Sequence, residues 1–255
     1  MSTCAVDTAT PAPPDRRRWA VLAVGTFGVF AALGLARFGY ATVLRAMQQD
    51  LGFGNTAAGA LATANLTGYL VLAVVGGALA SRWGARWVTT AGLAVLGVGM
   101  ILTANAGGFA ALCFWRAVTG MGSGAANVAI MGMWPAWFEP RQRGRAAGVA
   151  VTGSSFALML TGLTVPSLLV VPGVGWRGAW LLFGIAALVA AGLAAIVLRH
   201  TPAPPAGPSG DKTEALARPA NGLSLGRGLA PRGGIRRLRV QLHHLHDLLL
   251  EIPGR

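Results

Sequence analysis

The sequence predicts an all-α, polytopic membrane protein, and three observations predict it. Of its 255 residues 54% are hydrophobic and 11% charged, where a water-soluble domain would need about 25% charged residues to cover its surface. The charges are segregated, with Lys and Arg collected in short clusters and long uncharged stretches between Trp19 and Leu198. Apolar runs of about 20 residues recur six times, each long enough to cross about 30 Å of hydrocarbon as a helix.

The first run follows a polar, Pro-rich tail of residues 1–18 that ends in Asp15-Arg16-Arg17-Arg18. It extends from Trp19 to about Leu44, longer than a signal-peptide core, and leads into further spans, so it is expected to be an uncleaved first helix. The others are predicted at roughly Ala57–Ala80, Val88–Ala106, Phe109–Trp134, Ala146–Val171 and Gly178–Leu198. Inside lipid every backbone polar group must find its partner within the segment, which leaves helices as the form these runs can take. An even number of crossings puts both ends of the bundle on one side.

The loops choose that side. Basic residues precede the first span (Arg16, Arg17, Arg18), lie between spans two and three (Arg82, Arg86) and four and five (Arg141, Arg143, Arg145), and follow span six (Arg199). The opposite loops hold Arg45 with Asp50, then no basic residue, then Arg177. Basic loops stay cytoplasmic, so both termini are expected there. The formal net charge of +13 is thereby explained by topology, and no nucleic-acid partner is expected. The two cysteines, Cys4 and Cys113, imply no disulfide framework. The 37 glycines fit close helix packing, because in lipid van der Waals contact has to replace the hydrophobic drive between helices.

Between spans two and three the chain reads Gly77-Ala78-Leu79-Ala80-Ser81-Arg82-Trp83-Gly84-Ala85-Arg86. This resembles the cytoplasmic signature of the major facilitator superfamily at every position except Ser81, where the family has an acid. In span four, Arg116-Ala117-Val118-Thr119-Gly120-Met121-Gly122-Ser123-Gly124 is similar to the family's R-x-x-x-G-x-x-x-G motif, and Gly175-Trp176-Arg177-Gly178-Ala179-Trp180 is similar to the segment that opens its sixth helix. Ala36-Arg37-Phe38-Gly39-Tyr40 with Thr63-Ala64-Asn65-Leu66-Thr67-Gly68-Tyr69 resembles a bacterial branch, the YbfB/YjiJ type.

The resemblance implies the N-terminal six-helix half of a secondary transporter, itself a three-plus-three inverted repeat, working by alternating access with an ion or proton gradient and no cofactor or metal. It also implies a bacterial inner-membrane location, a lipid bilayer as surroundings and a small-molecule substrate. Gly77, Ser81, Arg82, Gly84 and Arg86 would form the cytoplasmic gate, with a latch weakened at Ser81. Gly120 and Gly124 would pack helices. The turn at Arg82-Trp83-Gly84-Ala85-Arg86-Trp87 is loosely echoed at Trp176-Arg177-Gly178-Ala179-Trp180, three spans later.

A cation at membrane depth is costly and normally faces a cavity or a partner, which singles out Arg37 and Arg116. No acid lies at comparable depth in the six spans, so the counter-ion is expected to be an anionic substrate or a carboxylate on a second half. The structural alternative is an arginine snorkelling to the interface. Tyr40, Asn65, Tyr69 and Asn127 are further cavity candidates, weighed against ordinary interhelical hydrogen bonding.

After Leu198 the chain is Pro-rich, then basic through Arg239, and no seventh apolar run follows before Arg255. His243, His244, His246 and Asp247 as a metal site, and Arg236, Arg237 and Arg239 as a phosphate patch, both rest on spacing that any basic tail supplies. Read one base later, permitted codons for Gly234 to Arg255 give an apolar run resembling the family's seventh helix. Residues 199–255 are therefore expected to be a linker followed by out-of-frame sequence, leaving a chain that acts with a missing C-terminal half, as a homodimer, or as an inactive fragment or scaffold. An intramembrane hydrolase is disfavoured because all four histidines lie in the tail, away from Ser123.

Overall fold

The computed structural model describes residues 15–198. The start of the N-terminal tail, and the linker and tail with His243, His244, His246, Asp247 and the arginine patch, lie outside the described residues.

All the described elements are helical. α1 (Asp15–Val29) passes without interruption through a π-helical segment (Phe30–Phe38) into α2 (Gly39–Leu51). It is longer than the expected Trp19–Leu44 because the arginines at its start and Gln48, Gln49 and Asp50 at its end continue the backbone hydrogen-bond ladder beyond the apolar run. Gly52, with φ of 67°, then stops it in the left-handed conformation that glycine takes without steric cost.

α3 (Asn55–Trp83), α4 (Ala85–Ala104), α5 (Phe109–Trp137), α6 (Pro140–Val170) and α7 (Gly175–Val197) follow through short connections. α3 and α4 meet at Gly84 alone, whose φ of 84° and ψ of 146° close one helix and open the next. No side chain sits comfortably there, so the turn in the loop signature depends on glycine. α6 begins six residues before the apolar run does, since Pro140 at its first turn has no N–H to leave unsatisfied.

Among the described residues, five helices are long and apolar enough to cross a membrane: Arg16–Leu51, α3, α4, α6 and α7. α5 has the length, at 29 residues, and falls short in hydropathy. The reason is its place in the bundle. It packs between α3 and α4, and Arg116, Thr119, Ser123 and three glycines from Gly120 to Gly124 are all buried on it. A helix enclosed by protein has no lipid to satisfy and can carry polar side chains that a lipid-facing helix cannot. α3 and α6 are the opposite case: Leu70, Val74, Leu163 and Val170 are exposed, as apolar side chains facing hydrocarbon would be.

Candidate functional site

α5 supplies the centre of the site, and small residues bring the other helices to it. A Cβ added at Gly120 would collide with the backbone carbonyl of Asn65, and one at Gly124 with that of Tyr69, so α3 lies directly on α5 at these positions. That approach carries Asn65 and Tyr69 to the neighbourhood of Arg116 and Asn127.

The π segment has an identifiable cause. In a widened turn the N–H of Gly39 reaches back to the carbonyl of Gly34, and two carbonyls of the segment accept bonds from α5. Ser123 donates its hydroxyl to the Ala32 carbonyl, and Arg116 donates from Nη1 to the Ala36 carbonyl at 3.0 Å. Side chains inserted beside the i→i−4 ladder are a known origin of such distortions, which concentrate at functional positions.

Arg116 is 1% exposed. Its guanidinium carbon sits 4.6 Å from the Tyr40 ring centre and 5.1 Å from that of Trp180. Two aromatic faces and one carbonyl thus replace water around the charge, each cation–π contact contributing about 2 kcal/mol where solvent is excluded. The walls of the cage are themselves held: Tyr40 donates its hydroxyl to the Ala58 carbonyl at 2.8 Å, and the indole N–H of Trp180 points at the Met47 sulfur at 3.4 Å. Asn65 donates from Nδ2 to the Arg116 carbonyl at 3.0 Å and fixes the backbone of the arginine's own turn. Nε of Arg116 is buried with no hydrogen-bond partner.

Arg37 is half-buried and differently surrounded. Its guanidinium lies over the Tyr69 ring, 4.7 Å from the centre, and its buried Nη2 has no hydrogen-bond partner. The Tyr69 hydroxyl accepts from Asn127 Nδ2 at 3.0 Å, while Oδ1 of Asn127 is buried and unpartnered. The Arg37 charge acts on Arg116, and neither pairs with an acidic side chain among the described residues. The structure therefore draws Arg37, Tyr69 and Asn127 into one group and Arg116, Tyr40 and Asn65 into an adjoining one.

The residues expected to form a gate are elsewhere, at the far end of α3. Ser81 and Arg82 are exposed, and Ser81 turns its hydroxyl back to the Ala78 carbonyl at 2.8 Å. Arg86 lies over its neighbour Trp87 at 4.8 Å. Gly77 is exposed on α3, and Gly84 makes the turn already described.

Sequence reasoning did not single out Trp180, Met47 or the Ala32 and Ala36 carbonyls. Trp180 ends the Gly175–Trp180 segment quoted for the resemblance, but nothing there marks its indole as a neighbour of Arg116; a methionine in an apolar run carries no distinguishing signal, and backbone acceptors carry none at all. Ser123 stood out only as a nucleophile, whereas its hydroxyl is committed to the π segment. Asp50 stood out only as a loop charge. It accepts from Arg177 Nη1 at 2.7 Å and from the Trp176 indole at 2.9 Å.

The profile of the Major Facilitator Superfamily matches residues 17–247. The chain belongs to this family. It is 31% identical over 136 residues to "Probable anion transporter 4, chloroplastic" of Arabidopsis thaliana, covering 52% of this chain and 25% of that protein. It is 29% identical over 143 residues to a hexuronate transporter of Bacillus subtilis and, equally, to a probable sulfoacetate transporter of Cupriavidus necator, in each case covering 56% of this chain and 33% of the relative. The fold is similar to that of the proton:xylose symporter XylE bound to 6-bromo-6-deoxy-D-glucose, with a TM-score of 0.61 at 15% identity over 70% of this chain and 44% of that one. These matches span a quarter to under half of the proteins they match. The chain is thus a multi-pass membrane protein of a transporter family, and not an enzyme.

Proposed function

We propose that the chain is the N-terminal half of a secondary transporter for a small organic anion, with Arg37 as the group that meets the substrate's charge. One observation carries the reading: two arginines whose charges act on one another sit within the bundle, the buried Nη2 of Arg37 and Nε of Arg116 lack partners, and no carboxylate neutralises either arginine among the described residues. A cation so placed is stable when an anion completes it. The printed names of the relatives, an anion, a hexuronate and a sulfoacetate transporter, support the same substrate class.

In this reading all six helices cross the membrane. α5 does so inside the bundle, where its polar face is covered by α3, α4 and the π segment. The six form a three-plus-three inverted repeat, with both termini on the cytoplasmic side of a bacterial inner membrane, as the basic loops require. A second half, or a second copy of this chain, supplies the opposite wall of the cavity, and an ion or proton gradient drives the rocking between them. Ser81 has no carboxylate with which to latch Arg82 or Arg86, so the cytoplasmic gate closes through contacts other than the family's acid.

Glucuronate and glucose share a ring and differ at one carboxylate, which makes them the discriminating pair. Added to the detergent-solubilised chain, glucuronate is expected to raise the melting temperature and glucose to leave it unchanged. A response to glucose alone, or to neither, contradicts the proposal.

A further inference from the structure

The end of α2 is joined to the first turn of α7 on the face of the bundle opposite the gate loop. Oδ2 of Asp50 accepts two hydrogen bonds, from Arg177 Nη1 at 2.7 Å and from Trp176 Nε1 at 2.9 Å. The Arg177 guanidinium also lies over the Trp176 ring at 4.4 Å, so the three side chains form a closed set. Gly173 and Gly175, with φ of 79° and 49°, make the turn that delivers Trp176 and Arg177 to Asp50.

The contact continues inward along the same two helices. Trp180 is one turn beyond Trp176 on α7, and Met47 is one turn before Asp50 on α2. Their side chains meet through the indole N–H and the sulfur at 3.4 Å, and the other face of Trp180 is a wall of the Arg116 cage. An outer ionic contact and an inner aromatic one therefore fix the same pair of helices on successive turns. Displacing the first turn of α7 moves Trp180 with it.

We infer that Asp50 is a positioning residue for Arg116: by clipping Trp176 and Arg177 to the end of α2, it holds Trp180 against the guanidinium and keeps the cage closed on that side. The clip is about half exposed, with side chains 46% and 47% accessible, so it opens at modest cost, while the Trp180–Met47 contact beneath it is buried. This inference rests on the anion-site reading only where substrate affinity is concerned.

Cys113 provides a native reporter. It is a free thiol three residues before Arg116 on α5, partly buried, and close enough to Tyr40 to act on it electrostatically. In a Cys4→Ser background of the full chain, N-ethylmaleimide labelling of Cys113 is expected to quicken about fivefold in Asp50→Ala, and about as much in Arg177→Gln, which breaks the ion pair while leaving the Trp176 bond possible. Asp50→Glu keeps the charge and is expected to label within about twofold of the parent chain. Glucuronate affinity should weaken in the first two variants by a similar factor, with the number of binding sites unchanged. Labelling that is unaltered in both, or quickened equally in Asp50→Glu, overturns the inference. Failure of the parent chain to bind glucuronate counts against the anion reading alone, because the labelling arm needs no ligand.

Discussion

Arg37 and Arg116 are the same side chain in two surroundings, and the contrast separates structure from recognition. Arg116 is enclosed: a carbonyl accepts from Nη1, two aromatic faces lie against the guanidinium and a neighbouring asparagine holds its backbone, while Nε is left without a partner among the described residues. Arg37 is half-buried, rests on one aromatic face, and has a buried N–H that meets no acceptor among the described residues. A cation that already has an acceptor and two aromatic faces has less left to offer a ligand. One that rests on a single ring and donates to no described acceptor has more, and an anion is expected to meet it. Depth in the membrane alone therefore does not separate the two; the difference is how much of each guanidinium the protein itself engages.

Substitutions can break or sharpen this contrast. Arg116→Ala is expected to have the largest effect, on the order of 3–5 kcal/mol of stability, because it removes a charge-assisted bond and two cation–π contacts and leaves a cavity among them. Melting in detergent should drop by roughly 10 °C, and Arg116→Lys should recover little of it, since an ammonium cannot lie flat between Tyr40 and Trp180. Next comes Gly120→Ala, which forces α3 off α5 at Asn65 and should cost about 1–3 kcal/mol, weakening both arginine groups together in melting and in binding.

Arg37→Lys keeps the charge and loses the planar fork. It is expected to weaken glucuronate binding about tenfold in a titration while the melting temperature of the unliganded protein stays the same. Tyr69→Phe leaves the ring under Arg37 and removes the hydroxyl that accepts from Asn127, so a smaller loss of about three- to fivefold in affinity is expected.

Much of the fold was legible because lipid imposes a simple code. Apolar runs of sufficient length, basic loops and glycine-rich faces placed the helices to within a few residues, and Arg37, Tyr69, Asn65 and Asn127 were conspicuous as polar groups in apolar surroundings. Hydropathy says less about α5. Its buried Arg116, Thr119 and Ser123 lower its apolar content for the same reason that they matter, which is that protein surrounds them. Helix ends were displaced, as at Pro140 and Leu51, because backbone bonding continues where the apolar pattern stops. The π segment and the Asp50 clip were illegible. Both depend on which carbonyl or indole a distant side chain meets, Ala32 with Ser123 and Asp50 with Trp176, and nothing in local composition encodes a contact between residues so far apart in sequence.

The most direct test of the division between the two arginines is glucuronate titration of Arg37→Gln beside the parent chain, with the melting temperature of each followed in the same detergent. The account predicts that affinity falls by about thirtyfold or more while melting shifts by less than about 2 °C, since Arg37 engages the described protein through one ring alone and would donate its hydrogen bonds to the substrate. Unchanged affinity, or a collapse of melting equal to that of Arg116→Ala, would contradict it.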